Sequence, residues 1–130
     1  MWINYIVALS NIYGLLPIYY TQGYHRLWML LIVTASVLMH LSETKHNLPG
    51  IYPFNKYSQQ FIWFDRIMAY SPIIIYNFAL YPYLFSPFFI IGVTCLILSE
   101  SVNLGAIFFA VTHSIWHICA YHMCYLFLKQ

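Results

Sequence analysis

Five residues in this chain are of types and spacings that can do chemistry together: Ser36, His40, Asp65, His113 and His117. Ser36 and His40 are four apart, and so are His113 and His117. On a helix that spacing puts both side chains on one face, about 6 Å apart along the axis. Two imidazoles so placed can converge on one metal ion. His40 supplies a third nitrogen. Three histidines with an open fourth position is the arrangement of a catalytic zinc, whose bound water ionises near neutral pH. Asp65 is then the group to orient or deprotonate that water. Ser36, one turn from His40, can hydrogen-bond the water or a developing oxyanion.

These residues must be held on helices, and the composition says in what solvent. The chain is 62% hydrophobic and 6% charged over 130 residues. Soluble domains are about 25% charged, and a fold this small leaves much of its surface exposed. Lipid is the solvent that suits it. Aromatics make up 21%, led by thirteen tyrosines, which favour the headgroup level. A net charge of +2 without a basic run excludes nucleic acid as a partner. Cys95, Cys119 and Cys124 lie in apolar stretches and read as buried thiols. No basic segment precedes the first apolar run, so a cleaved signal peptide is not expected.

Apolar runs of about 20 residues mark candidate spans. They fall at 2–20, at 27–41 with the helix extending to about 47, at 57–80, at 83–99 and at 104–128. The expectation is a single domain over 1–130, an all-α membrane protein with about five transmembrane helices in one bundle. Gly14 and Pro17 bend the first helix and Pro72 kinks the third. Residues 21–26 form a short polar turn, and the segment from Asn47 to Tyr57 is the longest loop. Counted from the helix ends on one face, His40, Asp65 and His113 lie at similar depths, roughly 10–14 Å in. His117 sits about one turn deeper.

Polar groups inside spans are costly and face a bundle interior, a partner or a site. Each of them also has a plainer reading. An i, i+4 histidine pair can be simple packing, and Asp65 beside Arg66 can be a structural ion pair. Glu43 either supports His40 or snorkels to the headgroups. His122 reads as a helix–helix hydrogen-bonding residue, and His25 and His46 as interfacial. Tyr5, Tyr13, Trp28, Trp63 and Trp116 read as packing or belt residues.

The set Ser36-x-x-x-His40, Asp65 and His113-x-x-x-His117 resembles the CREST superfamily of membrane hydrolases. That group takes in alkaline ceramidases, the progestin and adipoQ receptors, and relatives of the GPI-processing phospholipases and of myomaker. The run His113-Ser114-Ile115-Trp116-His117 looks like its last-helix motif, and Ser10-Asn11 looks like a ceramidase Ser-Asn. The 25-residue step from His40 to Asp65 looks more like the phospholipase and myomaker branch. The resemblance implies zinc held by His40, His113 and His117, with Asp65 and Ser36 beside its water. It implies hydrolysis of an amide or ester bond in a lipid substrate. The chain departs from the family in length: five helices are expected here against seven, and the shortfall lies between Asp65 and His113.

Three functions are open on sequence grounds. The first is a zinc-dependent lipid hydrolase of an endomembrane or plasma membrane. The second is a non-enzymatic scaffold or fusion-type protein stabilised by zinc. The third is a small channel or transporter subunit with its histidines in a proton path.

Overall fold

The computed structural model of the protein describes residues 1–129, and among these every regular element is helical. Helix α1 (Trp2–Ser10) passes through a 3-10 turn (Asn11–Gly14) into α2 (Leu15–Tyr20). Helices α3 (Gly23–Ser42) and α4 (Ser58–Ile75) follow, joined by the long loop. A short α5 (Asn77–Leu80) and a 3-10 segment (Tyr81–Phe85) lead to α6 (Pro87–Ser99), and α7 (Gly105–Leu128) ends the described chain. α1 packs between α3 and α7, α4 lies against α3, and α6 pairs with α7.

The elements differ from expectation where a backbone hydrogen bond is lost or replaced. Pro17 has no N–H to give back to Tyr13, and the first apolar run tightens to 3-10 geometry just before it. The polar stretch 21–26 is not a simple turn. α3 already begins at Gly23, and the Arg26 side chain folds back onto the end of α2. Its Nε donates to the carbonyls of Ile18 (3.2 Å) and Thr21 (2.8 Å). Those carbonyls have no partner within a helix, so arginine caps them. At its other end α3 stops at Ser42, not near Asn47. Asn4 of α1 donates from Nδ2 to the carbonyls of His40 and Glu43, both at 2.9 Å, and so ties α1 to that end. The loop also returns, with the Ile51 N–H on the Leu41 carbonyl at 2.7 Å. The helix read at 57–80 breaks at Tyr76, four residues past Pro72, and α6 starts four residues later than expected, at Pro87.

Buried polar side chains lie among two apolar clusters, while many large apolar side chains are exposed. Asn4, Asn11, Ser36, His40, Ser42, Ser99, His113 and His117 are buried, whereas Phe78 is 92% exposed and Ile74 77%. Such a polar interior inside an apolar coat is stable where the surroundings cannot solvate polar groups.

The count of spans corrects the sequence expectation. Among the described residues two helices, Gly23–Ser42 and Val102–Leu128, are long and apolar enough to cross a membrane. A third is reached if Asn77–Phe85 and Pro87–Ser99, bent by 93° to each other, count as one. That is fewer than five. The first run is divided among three short elements, and α4 carries Gln59, Gln60, Asp65, Arg66 and Ser71.

The α6–α7 contact depends on Gly92. A Cβ there would stand 2.8 Å from Cys119 Cβ and 3.4 Å from Trp116 Cε3. The nearer atom belongs to a stem that cannot swing away, so the helices would have to separate. Gly92→Ala is expected to destabilise the protein by about 1–3 kcal/mol, read as a lowered thermal midpoint in detergent.

Candidate metal centre

α7 presents His113 and His117 one turn apart on its inner face, and α3 presents His40 opposite them. The three ring centroids lie 4.7–4.9 Å from one another. One nitrogen from each ring falls within 4.8 Å of the others, and all three residues are buried. The group could therefore hold a metal ion. The extra turn of depth at His117 does not prevent convergence, because crossing helices let side chains from different levels meet.

The partners of the other ring nitrogens define the chemistry. His117 Nδ1 lies 2.7 Å from Ser10 Oγ. The Ser10 proton is already given to the Val7 carbonyl at 2.7 Å, so the serine oxygen accepts and His117 donates from Nδ1. His113 Nδ1 lies 2.9 Å from Ser99 Oγ, whose proton goes to the Leu96 carbonyl at 2.7 Å. His113 is thereby also the Nδ1–H tautomer. His40 Nδ1 lies 3.0 Å from Glu43 Oε2, and when Glu43 is ionised it accepts the Nδ1–H there. Each ring is left with a lone pair on Nε2.

The Nε2 atoms of His40 and His117 are 3.2 Å apart. Two lone pairs at that distance repel in a buried site unless positive charge lies between them. A proton can serve two nitrogens; a metal ion serves all three. Tetrahedral ligands at 2.0–2.1 Å from zinc stand about 3.3 Å apart, so the observed spacing suits such an ion.

Ser36 and Asp65 border the cluster. Ser36 Oγ is 3.2 Å from His117 Nε2, and the Asp65 carboxyl lies near Ser36. Asp65 makes no ion pair with Arg66 among the described residues; the ion pairs there are His40–Glu43 and the exposed Lys45–Glu100. Lys45–Glu100 bridges the segments that carry Glu43 and Ser99. Burial pushes the Glu43 carboxyl up to about 7, with His46 and Lys45 pulling the other way. His46, expected at the interface, is instead buried with its ring stacked 4.3 Å from Phe109, and burial lowers its pKa. His122 lies apart from the site, against Phe88 and Tyr13.

Sequence reading singled out the three histidines that converge and Ser36 beside them, but missed Ser10 and Ser99 as tethers. The available signal was weak: Ser10-Asn11 stood out only by resemblance, and Ser99 looked like a helix end. No protein-family model matches the chain, and no curated protein or solved structure is significantly similar to it.

The serine tethers carry a measurable consequence. Ser10→Ala and Ser99→Ala should each weaken divalent-metal binding roughly 10- to 100-fold, measured by competition with a chromophoric chelator. Ser99→Thr, which keeps the hydroxyl, should bind close to wild type.

Proposed function

We propose that the protein is a multi-pass membrane protein that hydrolyses an amide or ester bond in a lipid, using zinc held by His40, His113 and His117. The observation that carries this reading is the convergence of three Nε2 lone pairs beside a serine and an aspartate. A structural histidine cluster does not need an aspartate and a hydroxyl on its open side. The resemblance of these residues, in order along the chain, to the CREST hydrolases points the same way.

On this reading Gly23–Ser42 and Val102–Leu128 cross the bilayer, with the bent pair Asn77–Phe85 and Pro87–Ser99 as a third span. Bound zinc would supply Lewis acidity and a water ionising near pH 7. Asp65 takes the proton released at the site and returns it to the leaving group. Ser36 orients the reacting groups through its hydrogen bonds. The apolar coat keeps the substrate's acyl chains in lipid while its polar bond enters the bundle.

One observation favours a second reading, a zinc-stabilised scaffold without activity. The three histidines and Ser36 are buried, and the two apolar grooves flanking α1 are lined by other residues, such as Tyr5, Val37, Trp2 and Val111.

The test is metal content followed by turnover. Purified wild-type protein should carry about one zinc per chain by elemental analysis, and His113→Ala should carry none while remaining monodisperse. Fluorogenic acyl amide and acyl ester probes in micelles should be cleaved, with Asp65→Asn keeping zinc and losing roughly 100-fold or more in kcat. Zinc without cleavage of either probe selects the scaffold; protein free of zinc defeats both readings.

A further inference from the structure

A buried centre needs a way in for its ion. The two grooves beside α1 do not offer one. They are lined by apolar side chains such as Leu9, Val37, Ile6 and Val111, and an ion beside lipid is costly. The centre lies close to one end of the bundle instead. His40 is two residues from the end of α3, and the loop that follows folds back onto that end through the Ile51 N–H on the Leu41 carbonyl.

That loop carries His46. It is 7% exposed, and neither of its ring nitrogens has a hydrogen-bond partner among the described residues. A neutral imidazole presents one N–H and one lone pair, and burying both unpaired is costly. The backbone adds strain: His46 and Asn47 both have positive φ, 59° and 60°, which residues other than glycine seldom adopt. A ring kept inside against both costs points to a partner that comes and goes. Its packing says where that partner goes. The His46 ring stacks on Phe109 at 4.3 Å. Phe109, one turn before His113, has its ring 5.1 Å from that of His113 and 6.3 Å from that of His40. One phenyl ring thus links His46 to two of the three candidate ligands.

The residue before His46 fastens the loop. Lys45 pairs with Glu100, and both side chains are about half exposed. Glu43, two residues before Lys45, lies 3.0 Å from His40 Nδ1, and Ser99, next to Glu100, lies 2.9 Å from His113 Nδ1. A single surface ion pair therefore ties together the two segments that brace these rings. When it parts, the loop is free to lift from the end of α6 with His46 on it.

We propose that His46 is an entry ligand, which receives a divalent metal ion at the loop end of the bundle and passes it to His40 and His113, with Lys45–Glu100 as the latch over the route. The inference rests on the metal-centre reading above. An imidazole nitrogen suits the task because it replaces water on the hydrated ion with a ligand of the same kind as those that await it. Final affinity stays with the three histidines of the centre. A residue on the route changes the rates of loading and release by the same factor and leaves their ratio alone.

The test is kinetic. Zinc uptake by the metal-free full chain in detergent, and zinc release to excess chromophoric chelator, are followed by stopped flow, with affinity measured separately by competition. His46→Phe keeps the stacked ring without the nitrogens; it should slow both rates on the order of tenfold and leave affinity within about twofold. His46→Cys, which restores a metal-binding atom, should return the rates toward wild type. Lys45→Gln should speed both rates about two- to fivefold, the worth of a surface ion pair. Wild-type rates in His46→Phe overturn the proposal, as does a loss of affinity as large as the loss of uptake rate, which marks a structural part. Slow rates in His46→Cys also overturn it. If His46→Phe does not fold, Lys45→Gln decides: unchanged rates there sink the route through this loop. Wild-type protein that binds no zinc would instead defeat the metal reading beneath it.

Discussion

Three buried imidazoles meet with their ring centroids under 5 Å apart, and most of the architecture answers to that arrangement. Each ring is held in register by a hydrogen bond at Nδ1, to Ser10 on α1, Glu43 at the end of α3 and Ser99 at the end of α6. The ligands themselves sit on only two helices, α3 and α7. The tethers recruit α1 and α6, so four helices are oriented around a single point. In an apolar medium an unmet polar group costs several kcal/mol, which makes these bonds conditions of the fold and not decorations on it.

The same constraint explains the irregular backbone. The carbonyls that end α2 are met by Arg26, and those that end α3 by Asn4 and by the returning loop. At these two termini the groups that water would cap in a soluble protein are met by a neighbouring element. The inward-facing amides and hydroxyls of α1 and the following 3-10 turn are spent on α3 and α7, and its outward face is left to lipid: Leu9 and Ile12 are each about two-thirds exposed. An element that reads in sequence as an undistinguished hydrophobic run is in space the one that braces both ligand-bearing helices.

Chemistry and stability make opposite demands on such a centre. Burial strengthens the interaction of each nitrogen with a cation and excludes competing water. It also narrows the path by which a scissile bond arrives. The grooves beside α1 bring apolar surface close to the histidines without opening onto them. The chain is short between Asp65 and His113, where the bent connection through α5 and the 3-10 segment stands in place of regular spans. A hydrolase built this way would take its substrate sideways from lipid, and a scaffold would simply keep the ion.

The sequence by itself determined the helical class and picked out the three histidines that converge. A 6% charged chain carries helices long and apolar enough to cross a membrane, and i, i+4 spacing needs nothing but helical geometry to put His113 beside His117. It could not determine where helices break, because Pro17 and Pro72 act only through the bonds their neighbours lose or find elsewhere; the five regular spans read from hydropathy became two or three. Nor could it assign Ser10, Ser99, Asn11 or Tyr121, whose partners lie 14 to 110 residues away. A serine in an apolar run looks the same whether its oxygen faces lipid, its own helix or a histidine. Only the tertiary structure decided that, since the proton each hydroxyl gives its own helix is what leaves its oxygen free to set the tautomer of a distant ring.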